Sequence, residues 1–174
     1  MKRLILLLLF FTGFTVATFA DVRLDIGFDI PRGIGSVAEN QMSVNHDAVD
    51  FFNNYIFPFP EAGIYYQQNL GPTRVGVGAR AFTFILETVF WPNAYVEADL
   101  WKFTAALQAG GGLFGTFGLY NSFQTGKVFI PDLSLWFRIG EVFRVGGGMV
   151  WFVLPDSSST SFVYYLGAKF ALKL

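Results

Sequence analysis

Arg23, Asp25 and Asp29 stand on one side of a run whose alternate positions, Val22, Leu24, Ile26, Phe28 and Ile30, are all apolar. The arrangement returns at Arg74 and Arg80, at Glu97 and Asp99, at Asp132 and Arg138, at Arg144 and at Lys169. Six basic and five acidic groups on the polar faces of period-two segments suit mutual ion pairing. Catalytic chemistry is thin beside it. The single histidine, His46, lies in Ser43-Val44-Asn45-His46-Asp47, where it could serve as a general base toward Ser43 or Ser157. No spacing assembles a triad from these groups. Asp47, Asp50 and one His make no recognised metal-ligand set. The absence of cysteine removes disulfides, zinc–thiolate sites and thiol catalysis. The triplets 110–112 and 146–148 of glycine lack the strand–turn–helix setting of a phosphate loop; they fit close approach and curvature of a sheet. The residues predict a protein that is not an enzyme and needs neither cofactor nor metal.

The elements that must carry those charges are strands. The chain has 174 residues, of which 53% are hydrophobic and only 14% charged, against about 25% charged in a typical soluble domain. Disorder is excluded by this hydrophobicity, and a nucleic-acid partner by the formal charge of −1. Residues 1–20 read as a secretory signal peptide: Lys2 and Arg3, an apolar run, then small residues at Thr18 and Ala20. Removing Lys2 and Arg3 from the 12 basic residues leaves 10 against 13 acidic, a net −3 for residues 21–174.

Beyond residue 20 the period of two predicts eight strands, over 22–30, 62–70, 74–85, 93–100, 102–118, 129–139, 144–153 and 162–174. Segment 104–120 carries no charge, but Gly110 to Gly112, Gly115 and Gly118 would each cost a helix about 1 kcal/mol, so a strand is expected there. Tight turns at 69–73, 100–102 and 140–141 alternate with longer links at 31–61, 87–92, 119–125 and 155–161. Short turns at one end and long loops at the other are the build of an up-and-down membrane barrel. Its outward face must be free of charge, because a basic group at the bilayer midplane costs about 2–4 kcal/mol. Trp101, Phe103, Phe137 and Phe143 at the turn end, with Trp91, Tyr120, Phe129, Trp151 and Tyr164 toward the loops, are expected as interfacial girdles.

Architecture and C-terminus together resemble the small eight-stranded outer-membrane barrels, the OmpA-transmembrane-domain, OmpX and OmpW-like group. Gly167-Ala168-Lys169-Phe170-Ala171-Leu172 looks like that group's assembly signal, with Gly167, Phe170 and Leu172 at the matching positions; Leu166 and the terminal Leu174 depart from it. The resemblance implies an all-β, eight-stranded antiparallel transmembrane barrel in a bacterial outer membrane, with periplasmic termini. It implies outer-membrane lipids and the barrel-assembly machinery as partners, and a monomer.

Function is expected in two places. The lumen should hold an ion-pair network of Arg23, Asp25, Asp29, Arg74, Arg80, Glu97, Asp99, Asp132, Arg138, Arg144 and Lys169. Above it, Phe82, Phe84, Leu86, Val150, Phe152 and Leu154 should form an apolar cup. The first loop, 31–61, carries Arg32 against Glu39, Asp47, Asp50 and Glu61, a short amphipathic helix, and the aromatic group Phe51, Phe52, Tyr55, Phe57 and Phe59, expected as a lid or a contact surface. The leading expectation is a structural or surface-interaction barrel meeting a host or surface ligand through its loops. The alternative is an OmpW-like site or conduit for small hydrophobic molecules.

Overall fold

The computed structural model describes residues 21–38, 41–84, 87–118, 123–155 and 157–174. The expected signal segment 1–20 lies outside the described residues, as do Glu39, Leu86 and Tyr120. Twelve elements follow in order: β1 Asp21–Ala38, β2 Gln41–Val44, α1 His46–Asn54, β3 Phe59–Leu70, β4 Thr73–Phe84, β5 Glu87–Leu100, β6 Phe103–Gly111, β7 Phe114–Gly118, β8 Gln124–Gly126, β9 Phe129–Ile139, β10 Phe143–Phe152 and β11 Ser159–Lys173.

Eight of the strands close a barrel in the order β1-β3-β4-β5-β6-β9-β10-β11, and β11 returns to pair antiparallel with β1. The closing seam sets Ile26 opposite Phe170 and Leu24 opposite Leu172. Closure leaves no open edge, as lipid requires when it cannot hydrogen-bond free backbone groups. Alternation does the rest. Ile26, Val77, Val96, Leu107, Leu133 and Leu166 are exposed on the outer wall, while their charged and aromatic neighbours are buried inside. Trp136, fully buried, fills the middle of the lumen, consistent with an eight-stranded interior being only wide enough for side chains.

At the turn end, Gly71 and Gly140 take the left-handed conformation that tight turns need, and Trp101 does so too at φ 58. Phe103 packs edge-on against Phe137, and Phe143 lies tilted against Phe170, both near that rim.

Three expected boundaries move. β1 does not stop at Ile30 but runs to Ala38, so the first loop is shorter than 31–61. A β-bulge between Pro31 and Gly33 allows this: a bulge tolerates a proline that a regular ladder would not. The extra residue, Arg32, also shifts the alternation by one, and Ile34 turns inward to the lumen cavity. Second, residues 87–92 are not a link but the start of β5. Third, 102–118 is two strands. β5 pairs β6 up to Asn93–Gly110 and resumes with β7 at Phe90–Gly115, leaving Trp91 and Pro92 across from residues 111–114. Gly111 and Gly112 have φ of 106 and 83, and Pro92 brings no amide donor, so the ladder breaks there.

Candidate functional site

The inward charges gather into two groups at different heights. The one nearer the turns centres on Glu97. Arg23 grips it with Nη1 and Nη2 at 2.8 and 2.9 Å, and holds Asp25 equally with Nε and Nη2 at 2.6 and 2.7 Å. Arg144 Nη1 lies 2.9 and 3.0 Å from the two Glu97 oxygens. Arg74 bridges Glu97 at 3.1 Å and Asp99 at 2.7 and 2.6 Å. Asp99 also accepts from Arg138 at 2.9 Å and from the Thr104 hydroxyl at 2.7 Å. Lys169 Nζ stands 3.7 Å from Asp25 and 4.2 Å from the Trp136 ring centre. Five cations therefore meet three carboxylates in this layer.

The higher group inverts that balance. Arg80 is the cation of the layer. It donates to Glu61 at 2.8 and 3.1 Å and to Asp132 at 2.6 Å, and lies 3.6 Å from Asp29. Tyr165 donates its hydroxyl to Asp132 at 3.0 Å. Between the layers, Tyr95 donates to Gln67 at 2.7 Å and Asn93 to Gln108 at 2.7 Å, while Tyr65 meets Tyr95 edge-on. All eleven residues expected in the network lie in one layer or the other. Charge in such a setting is tolerable only when paired and hydrogen-bonded, which explains why each arginine of these two layers has at least one carboxylate.

Above Arg80 the interior changes character. A cavity of about 370 Å³ opens there, lined almost wholly by apolar side chains. Of the expected cup, Phe82, Val150 and Phe152 line it. Leu154 does not: it is exposed beyond the end of β10. Leu86 and the Phe84 side chain lie outside the described residues. Trp91, expected in the loop-side girdle, is instead 2% exposed and stacked on Phe82 at 5.6 Å inside the cavity. It faces inward because β5 starts at Glu87, which puts Trp91 in phase with Asn93, Tyr95 and Glu97. Gly110 makes room for it, since a Cβ there would collide with the indole nitrogen.

The first-loop aromatics divide between two roles. Phe52 and Phe59 line the cavity, and Arg32 holds this end by donating to the Phe52 carbonyl at 3.2 Å. Phe51, Tyr55 and Phe57 cluster together, with Phe51 and Phe57 stacked at 5.6 Å, and Phe51 and Tyr55 are exposed. Asn45 caps α1 by accepting from the Ala48 amide at 3.0 Å. His46 is exposed on the first turn; Ser43 lies by Ser36, and Ser157 by Ser159 in another loop. Among the described residues no hydrogen bond joins that histidine to either serine. At the seam, Gly167 sits against the Asp29 carboxylate, Phe170 is exposed outward and Leu172 pairs with Leu24.

Glu61 was expected in the external loop and is a lumen carboxylate instead. The signal was present: Gly63, Tyr65 and Gln67 alternate with apolar residues, and two residues back the same phase reaches Glu61. Asn93, Gln108 and Tyr165 were likewise missed as members of the polar interior.

No family model matches the chain, and no curated protein matches its sequence. Solved structures do. The N-terminal β-barrel domain of Pseudomonas aeruginosa OprF matches over 88% of this chain and 99% of that one, at 9% identity and a TM-score of 0.50. The fold is that of an eight-stranded outer-membrane β-barrel. Neisserial surface protein A is similar at 11% identity, 86% and 96% coverage and a TM-score of 0.48. Yersinia pestis Ail in a phospholipid nanodisc is similar at 13% identity, 88% and 99% coverage and a TM-score of 0.45. With this fold, the uncharged outer wall of Ile26, Val77, Leu107 and Leu133 meets membrane lipid.

Proposed function

We propose that this protein is a non-enzymatic outer-membrane barrel that holds a small hydrophobic molecule in the cup at its loop end. The observation that carries this reading is the contrast between the two halves of the lumen. The turn end is filled by paired charge, whereas the loop end leaves an apolar cavity of about 370 Å³, a size within the range of ligand pockets. A closed floor makes the cup a binding site rather than a through-channel. Termini and short turns face the periplasm, and Phe52 of α1 lines the cup.

Filling the cup tests the reading. Ile34 lines the cavity near its mouth and is already 36% exposed, so a larger side chain there disturbs the barrel little. In lipid nanodiscs, Ile34→Trp is expected to weaken octanol binding at least tenfold, measured by titration calorimetry. Val163→Phe, on the residue paired with Ile34 across the β1–β11 seam, is expected to act alike. Unchanged affinity in both variants would remove the cup as the binding site.

A second reading rests on α1 and the residues just after it, where Phe51, Tyr55 and Ile56 lie open to solvent. Such apolar exposure suits contact with a host or neighbouring surface molecule. Ile34→Trp leaves this face intact, so the two readings separate in one variant.

A further inference from the structure

The floor of the cup carries a carboxylate with no hydrogen-bond donor. Asp29 is 3% exposed and contributes to the cavity lining. Neither of its oxygens has a hydrogen-bond partner among the described residues, and the same holds for Glu61 Oε1. Arg80 approaches Asp29 only to 3.6 Å, beyond hydrogen-bonding range, because its donors are engaged by Glu61 and Asp132. The neighbouring polar group of the lining, the Tyr165 hydroxyl, is already given to Asp132. Lys169, the other cation nearby, is engaged lower down by Asp25 and the face of Trp136.

Two facts bear on what belongs above this floor. A buried acceptor without a donor is costly, and more so when charged. The layer that holds it also has an excess of negative charge, with Asp29, Glu61 and Asp132 around the one Arg80. Its potential favours a cation arriving from the cup side. The walls above, Phe82, Trp91, Val150 and Phe152, offer apolar and aromatic surface that suits a hydrocarbon.

We propose that the cup selects a hydrophobic amine, its hydrocarbon part against Phe82, Trp91, Val150 and Phe152 and its protonated amino group turned down to Asp29. This rests on the reading of the cup as a ligand site and adds the chemistry of the ligand's head. The ammonium supplies the donor that Asp29 lacks and lowers the charge excess around Arg80. A carboxylate head on the same chain meets that excess with like charge and is rejected. A hydroxyl head donates one bond but brings no charge, and falls between.

Octylamine, octanol and octanoate make the comparison, titrated into the protein in zwitterionic nanodiscs at neutral pH. Octylamine is expected to bind about tenfold tighter than octanol, the size of a charge-assisted hydrogen bond, with octanoate weakest. Asp29→Asn is expected to bring octylamine to within about twofold of octanol and to leave octanol unchanged. A carbon-13 label at the aspartate carboxyls gives the same answer in the unaltered chain: the Asp29 signal moves further with octylamine than with octanol. Equal binding of the amine and the alcohol, with an unmoved Asp29 signal, would overturn the proposal and leave the cup standing. Failure of all three probes to bind would overturn both.

Discussion

Glu97→Gln is expected to remove about 3–5 kcal/mol of folding stability, the usual result of leaving a buried charge without its partner. The substitution keeps the shape and takes away only the charge. Arg23 retains Asp25 and Arg74 retains Asp99, but Arg144 has no second carboxylate within ion-pair distance among the described residues. Its side chain is 5% exposed and its Nε already lacks an acceptor. Urea titration of the protein folded into lipid vesicles measures the loss. The double variant Glu97→Gln with Arg144→Met is expected to recover part of it, because the stranded guanidinium is gone. No difference between the single and double variants would mean that Arg144 reaches another anion or water.

Arg80→Met is expected to be more damaging. It strands three carboxylates together, Asp29, Glu61 and Asp132, with side chains between 1% and 5% exposed. Each uncompensated charge carries a penalty of several kcal/mol in such a place, so the variant is expected to yield little or no folded barrel. The measurement is the fraction of protein that shifts on a gel between unboiled and boiled samples. Arg80→Lys keeps the charge but not the planar fork that serves Glu61 and Asp132 at once, and should recover only part of the folded fraction. Full folding of Arg80→Met would show that the upper layer is hydrated or protonated rather than held by this guanidinium.

The barrel and its charged lumen were readable because lipid enforces the alternation so strictly. Ile26, Phe28, Val75 and Val77 could not trade places with Asp25, Asp29, Arg74 and Gly76 without exposing charge to hydrocarbon. Wherever that alternation was unbroken, residue number alone gave the facing. It failed where the backbone departs from a regular ladder. Pro31 ended the first strand on paper, yet the bulge at Arg32 carries the strand on and reverses its faces. Pro92 similarly hid the start of β5, which cost the inward placement of Trp91. Glu61 looked like a loop acid because an aromatic–proline run precedes it. Its role depends on Arg80, 19 positions away and on a neighbouring strand. The cup itself was legible only in part: Phe82, Val150 and Phe152 were in phase, but Ile34, Phe52 and Trp91 reach it through a bulge, a helix and a hidden strand start.

A lumen sealed at the turn end and open only as a cup at the loop end has one direct electrical consequence. Single-channel recording of the protein reconstituted in planar bilayers should show no steady ohmic current, because the buried side chains of Arg23, Glu97, Arg144 and Trp136 fill the lumen. A stable open conductance, persisting without applied denaturant or voltage stress, would contradict the sealed lumen.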